Sequence, residues 1–179
     1  CDLIIEAAPE NIKIKSQIYK EIDSEAPQHA IFASNTSTLP ITEIANYTTR
    51  PKQVIGIHFF NPPQLMPLVE VIKGDLTNEK TINRSLELIN NLKKEIVICK
   101  KDVPGFIVNR ILGPLIQEAA WIVHRKEATI EEIDSAVKYN VGSPMGLFEL
   151  ADYTGIDILY NAAKEVSKRD PKALNLCPM

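Results

Sequence analysis

Four polar side chains interrupt apolar stretches at places where an α/β fold carries chemistry: Ser37, His58, Glu70 and Asn109. His58 ends the run Ile-Gly-Ile-His-Phe-Phe, and Glu70 sits inside Leu-Val-Glu-Val-Ile. A lone charge in either run would be costly to desolvate. If the two strands are neighbours, pairing relieves both residues. It also holds the imidazole in one tautomer with its other nitrogen free, which is what a general acid/base needs. Each residue has an ordinary alternative when taken singly: a hydrogen-bonded core histidine, a partly exposed strand glutamate, a turn-forming or capping serine, and a solvated helix asparagine. His29 and His124 sit among polar neighbours and read as surface residues. At this level the residues yield a candidate dyad and little about substrate.

The surrounding elements follow from hydrophobic period. Cys1 to Ala8, Ala30 to Ser34, Val54 to Phe60, Leu68 to Lys73 and Glu95 to Cys99 read as buried strands. Between them, Pro9-Glu10-Asn11 opens a helix with Ile14, Ile18 and Ile22 on one stripe. A short helix is expected over Ile41 to Ala45, and another starts near Thr77 with Ile82, Leu86, Ile89 and Leu92. Continuously apolar strands alternating with helices predict an α/β layer with a largely parallel sheet. Asp102-Val103-Pro104-Gly105 is punctuation, after which only helical patterns occur, one of them opened by a capping box at Thr129. The expected organisation is an α/β piece over 1–101 followed by an all-α piece over 102–179.

Composition narrows the function classes. The 179 residues carry 20 Lys and Arg against 23 Asp and Glu, a net charge of −3, with no long basic run to serve a nucleic acid. No apolar stretch approaches a membrane span of roughly 18 residues, and no signal-peptide pattern opens the chain. Three distant cysteines, without a C-x-x-C, argue against a disulfide framework or a Cys-type metal site and for a reducing cytoplasm. An open α/β fold binds ligands at the carboxyl edge of its strands. The G-x-G-x-x-G turn that cradles a dinucleotide needs glycine for close backbone approach. Gly56 is the first glycine here, so that turn is absent. With a buried-type strand at the very start, the chain is expected to begin mid-domain.

Several ordered blocks carry a resemblance. Ser34-Asn35-Thr36-Ser37, His58-Phe59-Phe60-Asn61-Pro62, Leu68-Val69-Glu70-Val71, and Pro104 to Arg110 together resemble the L-3-hydroxyacyl-CoA dehydrogenase family. Tyr139 to Leu150, with Asp152 after it, looks like that family's helical-domain signature. The resemblance implies part of a Rossmann-type NAD-binding domain followed by a helical dimerisation domain. It implies oxidation of the 3-hydroxyl of an acyl-CoA with transfer of hydride to NAD, in fatty-acid β-oxidation or butanoate metabolism. It further implies His58 as general base oriented by Glu70, with Ser37 and Asn109 bonding the substrate oxygen. Glu10, Lys15 and Asn61 match positions around the nicotinamide ribose and the CoA end. The family's glycine turn and its later glycine-rich aromatic segment are missing, so the expectation is a fragment trimmed at both ends or a truncated gene product, one that by itself binds NAD weakly or not at all and is inactive.

Two other readings stand beside this one. A relative acting on a free hydroxy acid could carry the same catalytic residues, with Lys13 and Lys15 at the rim as the feature that would suit CoA phosphates. A non-catalytic assembly module would explain the apolar residues Phe106, Ile107, Leu112, Leu115, Ile116, Trp121, Phe148 and Leu150. It would leave Ser37, His58 and Glu70 unexplained. A homodimer through the helical piece is expected in either case.

Overall fold

The computed structural model describes residues 1–178; Met179, the last residue of the expected helical domain, lies outside the described residues. The chain divides into two units, Cys1–Ile107 and Val108–Met179. In the first unit the order is β1 (Leu3–Glu6), α1 (Ile12–Glu25), β2 (Ile31–Ser34), α2 (Ile41–Ala45), a single 3₁₀ turn (Pro51–Gln53), β3 (Val54–Phe59), β4 (Leu68–Ile72), α3 (Glu79–Asn91) and β5 (Glu95–Cys99).

The five strands form one sheet in sequence order. β1, β2 and β3 run parallel, as do β4 and β5, but β3 and β4 are antiparallel. The link between those two, residues 60–67, is too short for the crossover of a dozen or more residues that a parallel pair requires. The side-chain period of two then sorts the core. Phe32, Val54 and Ile72 enter one cluster with Tyr19, Ile41, Ile44 and Phe106. Ile31, Ala33, Ile55, Ile57, Val69 and Val71 enter the other, closed by Ile82 and Ile89 of α3.

Two helix starts differ from expectation. Asn11 caps α1 by accepting from the N–H groups of Lys13 (2.9 Å) and Ile14 (3.4 Å), so Pro9 and Glu10 stay outside the helix. Asn78, rather than Thr77, caps α3 by accepting from Thr81 N at 2.8 Å; the Thr77 hydroxyl instead donates to the Val54 carbonyl at 2.6 Å. The buried stripe of α1 also differs. Ile14 is 38% exposed, whereas Lys15 and Tyr19 are the buried positions. A lysine can take the inner face here because carboxylates meet it there, a contact that no helical periodicity records.

The boundary between units falls at 107/108 rather than 101/102. Residues 102–107 are tied to the sheet unit by three specific contacts. Asp102 caps α2, accepting from Ile41 N (3.1 Å) and Thr42 N (2.6 Å). Phe106 is buried in the first core cluster. Ile107 N donates to Glu70 Oε1 at 2.9 Å.

The second unit contains α4 (Val108–His124), α5 (Ile130–Ala136), a π turn (Val137–Val141), α6 (Leu147–Thr154) and α7 (Ile156–Arg169). The capping box at Thr129 and Glu132 is formed in both directions. The buried Asp134 of α5 accepts from Phe148 N (2.9 Å) and Glu149 N (3.0 Å), which seats the start of α6. Gly146 is required beside it, because a Cβ there would lie 2.2 Å from Asp134 Cγ. Among the described residues, no helix is long and apolar enough to cross a membrane.

Candidate active site

His58 and Glu70 are register partners across the antiparallel β3 and β4 strands, and both are buried. Directly opposed residues in such a pair hold their side chains on the same face. His58 Nδ1 lies 2.8 Å from Glu70 Oε2. With the carboxylate accepting from Nδ1–H, Nε2 keeps its lone pair and becomes the nitrogen that can take a proton. The pairing expected from desolvation is thus made by strand register.

The other glutamate oxygen, Oε1, accepts from the backbone N–H of Ile107 at 2.9 Å. That amide is aimed by a sharp change of direction: Gly105 has φ +75° and Phe106 φ +50°. An aromatic residue in the left-handed region is uncommon and costs of order 1–3 kcal/mol. Here it is held by burial of the Phe106 ring, whose centroid lies 5.8 Å from that of His58. Phe60 packs edge-on to His58 at 4.7 Å. The imidazole is therefore clamped between an acceptor and two aromatic rings.

A second cluster lies at the carboxyl ends of β1 and β2. Glu10 Oε1 accepts from Thr36 Oγ1 (2.5 Å), Ser37 N (3.1 Å), Thr38 N (2.9 Å) and Thr38 Oγ1 (2.8 Å). Burial pushes the Glu10 carboxyl up, but those hydrogen bonds and the Lys15 charge outweigh it and bring it below the usual carboxylate range. Asn35 joins this turn to the histidine strand, since its Oδ1 accepts from Phe59 N at 2.9 Å. With Ser34 in register with Gly56, the Ser37 turn and His58 share one edge of the sheet.

The remaining expected residues fall differently. Lys15, expected with Lys13 at a rim open to phosphates, is only 1% exposed. Its ammonium donates to Glu6 Oε1 (2.7 Å) and to the Ala8 carbonyl (3.0 Å), and lies 3.6 Å from Glu10 Oε2. It therefore does not present itself to a phosphate; Lys13, in contrast, is exposed. Asn61 is exposed just past β3. Asn109 lies in the first turn of α4, in the other unit. Glu6, buried at the end of β1, was not singled out from the sequence. A glutamate ending an apolar strand, nine residues before a lysine on a helix, was the only signal available for it.

A dinucleotide fits part of this edge. The Glu10 side chain is 34% exposed and its carboxylate is the kind of acceptor a ribose hydroxyl needs, with Oε1 engaged by the turn and Oε2 3.6 Å from Lys15 Nζ. No glycine precedes Gly56, so the pyrophosphate turn is not among these residues.

The sheet, its helices and the following helical unit define a Rossmann-type α/β unit joined to an all-helical one. Residues 1–103 match the 3-hydroxyacyl-CoA dehydrogenase NAD binding domain, and residues 105–178 match the 3-hydroxyacyl-CoA dehydrogenase C-terminal domain. The chain belongs to the 3-hydroxyacyl-CoA dehydrogenase family. It is 51% identical over 156 residues to the mitochondrial hydroxyacyl-coenzyme A dehydrogenase of Sus scrofa, covering 87% of this chain and 49% of that protein. Over 158 residues it is 46% identical to the 3-hydroxybutyryl-CoA dehydrogenase of Clostridioides difficile, covering 88% and 56%. The crystal structure of (S)-3-hydroxybutyryl-CoA dehydrogenase from Ralstonia eutropha matches with a TM-score of 0.91 at 40% identity, covering 96% of this chain and 61% of that one. The chain thus spans about half the length of the curated relatives it matches.

Proposed function

We propose that this protein oxidises the 3-hydroxyl of an (S)-3-hydroxyacyl-CoA to the 3-ketoacyl-CoA, with NAD as cofactor, in fatty-acid β-oxidation or butanoate metabolism. The observation that carries this reading is the buried His58–Glu70 pair at 2.8 Å, within a chain of this family. His58 Nε2 takes the hydroxyl proton, and Glu70 holds Nδ1–H and favours the imidazolium that forms. NAD, when bound, supplies the nicotinamide that accepts the C3 hydrogen with its electron pair. As proton and hydride leave, the C3–O bond becomes a carbonyl. Ser37 and Asn109 hydrogen-bond that oxygen in this proposal. Glu10 and Asn61 face the cofactor, and Lys15 acts behind Glu10 rather than on the ligand.

The helical unit supports a homodimer as the working form. Its exposed apolar side chains include Ile111, Leu115, Val141, Ile156 and Ile158, and Tyr139 is 86% exposed. Such a concentration of apolar surface on a small helical unit is typical of an interface. The wide spacing of Cys1, Cys99 and Cys177, with no C-x-x-C, suits a reducing compartment such as the cytoplasm.

The test is NADH formation by the full-length gene product, given 3-hydroxybutyryl-CoA and free 3-hydroxybutyrate in parallel. Turnover confined to the thioester supports the proposal. Turnover of the free acid alone transfers the site to hydroxy-acid chemistry, and turnover of neither refutes the reading.

A further inference from the structure

We propose that Glu6 and Lys15 are positioning residues that hold the Thr36–Ser37–Thr38 turn in place from behind. The path through them, hydrogen bonds closed by one ion-pair contact, returns on itself. Ser34 Oγ donates to Glu6 Oε2 (2.8 Å) and accepts from Thr36 N (3.2 Å). Thr36 Oγ1 donates to Glu10 Oε1 at 2.5 Å. Glu10 Oε2 faces Lys15 Nζ at 3.6 Å, and Lys15 Nζ returns to Glu6 Oε1 at 2.7 Å. Ala8 is bound into the same ring through both its N–H, which donates to Glu6 Oε1 at 2.5 Å, and its carbonyl, which accepts from Lys15 at 3.0 Å. The ring thereby joins the end of β1, the segment leading into α1, and the turn after β2.

Glu6, Lys15, Ser34 and Thr36 are all buried. Two carboxylates there share one ammonium, and an apolar packing of similar volume is often as stable as a buried ion pair. Stability alone is thus a weak reason for the arrangement; a geometry that only these partners impose is a stronger one. What they impose is the place of Glu10 Oε1, which gathers Ser37 N and both polar groups of Thr38. The Glu10 carboxyl is held below the usual range, so it remains a charged acceptor near neutral pH. The placement of the turn stands on these contacts. Its consequence for turnover rests on the reading that Ser37 bonds the substrate oxygen.

Amide hydrogen exchange on this chain tests the positioning without reference to activity. Glu6→Gln keeps the shape and the contact with Ser34 but removes the charge that holds Lys15. We expect exchange at Thr36, Ser37 and Thr38 to accelerate about tenfold or more while Val71 and Ile98, on β4 and β5, keep their protection. Lys15→Met should do the same, and the double variant Glu6→Gln/Lys15→Met should add little to either single change. The double variant also leaves no unpaired charge between the two positions, so it carries the test if a single variant fails to fold. Unchanged exchange at the turn, additive effects, or equal acceleration across the sheet would each overturn the proposal. In the full-length gene product Glu6→Gln should lower kcat/KM for 3-hydroxybutyryl-CoA at least about tenfold. A loosened turn with unaltered turnover would remove the role of Ser37 and leave the positioning intact.

Discussion

His58 and Glu70 stand opposite one another in an antiparallel strand pair, Nδ1 to Oε2 at 2.8 Å, while the second glutamate oxygen is bound by the Ile107 amide. The imidazole is oriented by strand register on one side and by a backbone turn on the other. A carboxylate held in this way can steer and stabilise a histidine without itself exchanging a proton.

Removing the base and removing its support should differ in kind. His58→Gln in the full-length gene product should lower kcat by about 10²–10⁴-fold. Glu70→Gln keeps a hydrogen-bonding shape but lacks the negative charge that stabilises imidazolium, so kcat should also fall, with thioester KM little changed. Steady-state kinetics on 3-hydroxybutyryl-CoA check both. Near-normal turnover in either variant would falsify the assigned roles.

Acid should loosen the sheet unit through two carboxylates. Burial raises Glu10 and Asp23, but hydrogen bonds prevail: from Thr36 and Thr38, together with the Lys15 charge, at Glu10, and from Arg50 and Thr49 at Asp23. Both folded-state pKa values are therefore depressed. The stability they contribute is complete above the unfolded carboxylate range of about 4 and is lost as pH falls through the folded values. Denaturant midpoints measured from pH 6 down to about pH 3 should drop. In a Glu10→Gln/Asp23→Asn variant the drop should be shallower; an identical slope would count against the assignment.

Gly56 is demanded by the sheet. A Cβ there would meet Ile41 Cδ1 and Ile72 Cβ, each at 2.8 Å. Gly56→Ala should destabilise by about 1–3 kcal/mol through overpacking within the histidine strand. Urea unfolding reads this directly, and an unchanged midpoint would show that the two isoleucines can yield.

The helical unit should associate through its apolar face. Ile111 and Leu115 lie one turn apart on α4 and are both exposed. Sedimentation of the wild-type chain at micromolar concentration should show a dimer, and Ile111→Asp/Leu115→Asp should convert it to monomer. A wild-type monomer would remove the expectation, and a dimer that survives both changes would move the interface elsewhere.

Local pattern was enough for the five strands, for α2 at Ile41–Ala45, for β5 at Glu95–Cys99 and for the Thr129 capping box, because each depends on neighbours within a few residues. The blocks around Ser37, His58 and Glu70 also made the family legible, and the cost of desolvating a histidine and a glutamate in apolar strands suggested that they pair. Whether they could pair was a matter of register between β3 and β4, which no local pattern states. The same holds for Lys15: the sequence places it at the rim of the site, and the carboxylates that make its burial tolerable come from Glu6 at the end of β1 and Glu10 before α1. Residues 102–105 read as punctuation and Phe106 and Ile107 as the start of the helical piece, yet the capping of α2 by Asp102, the buried Phe106 ring and the Ile107 amide bind them to the sheet unit. Composition and period act along the chain and determine elements. Charge compensation and close packing act across it, so the partners of a buried charge are decided only where distant segments meet.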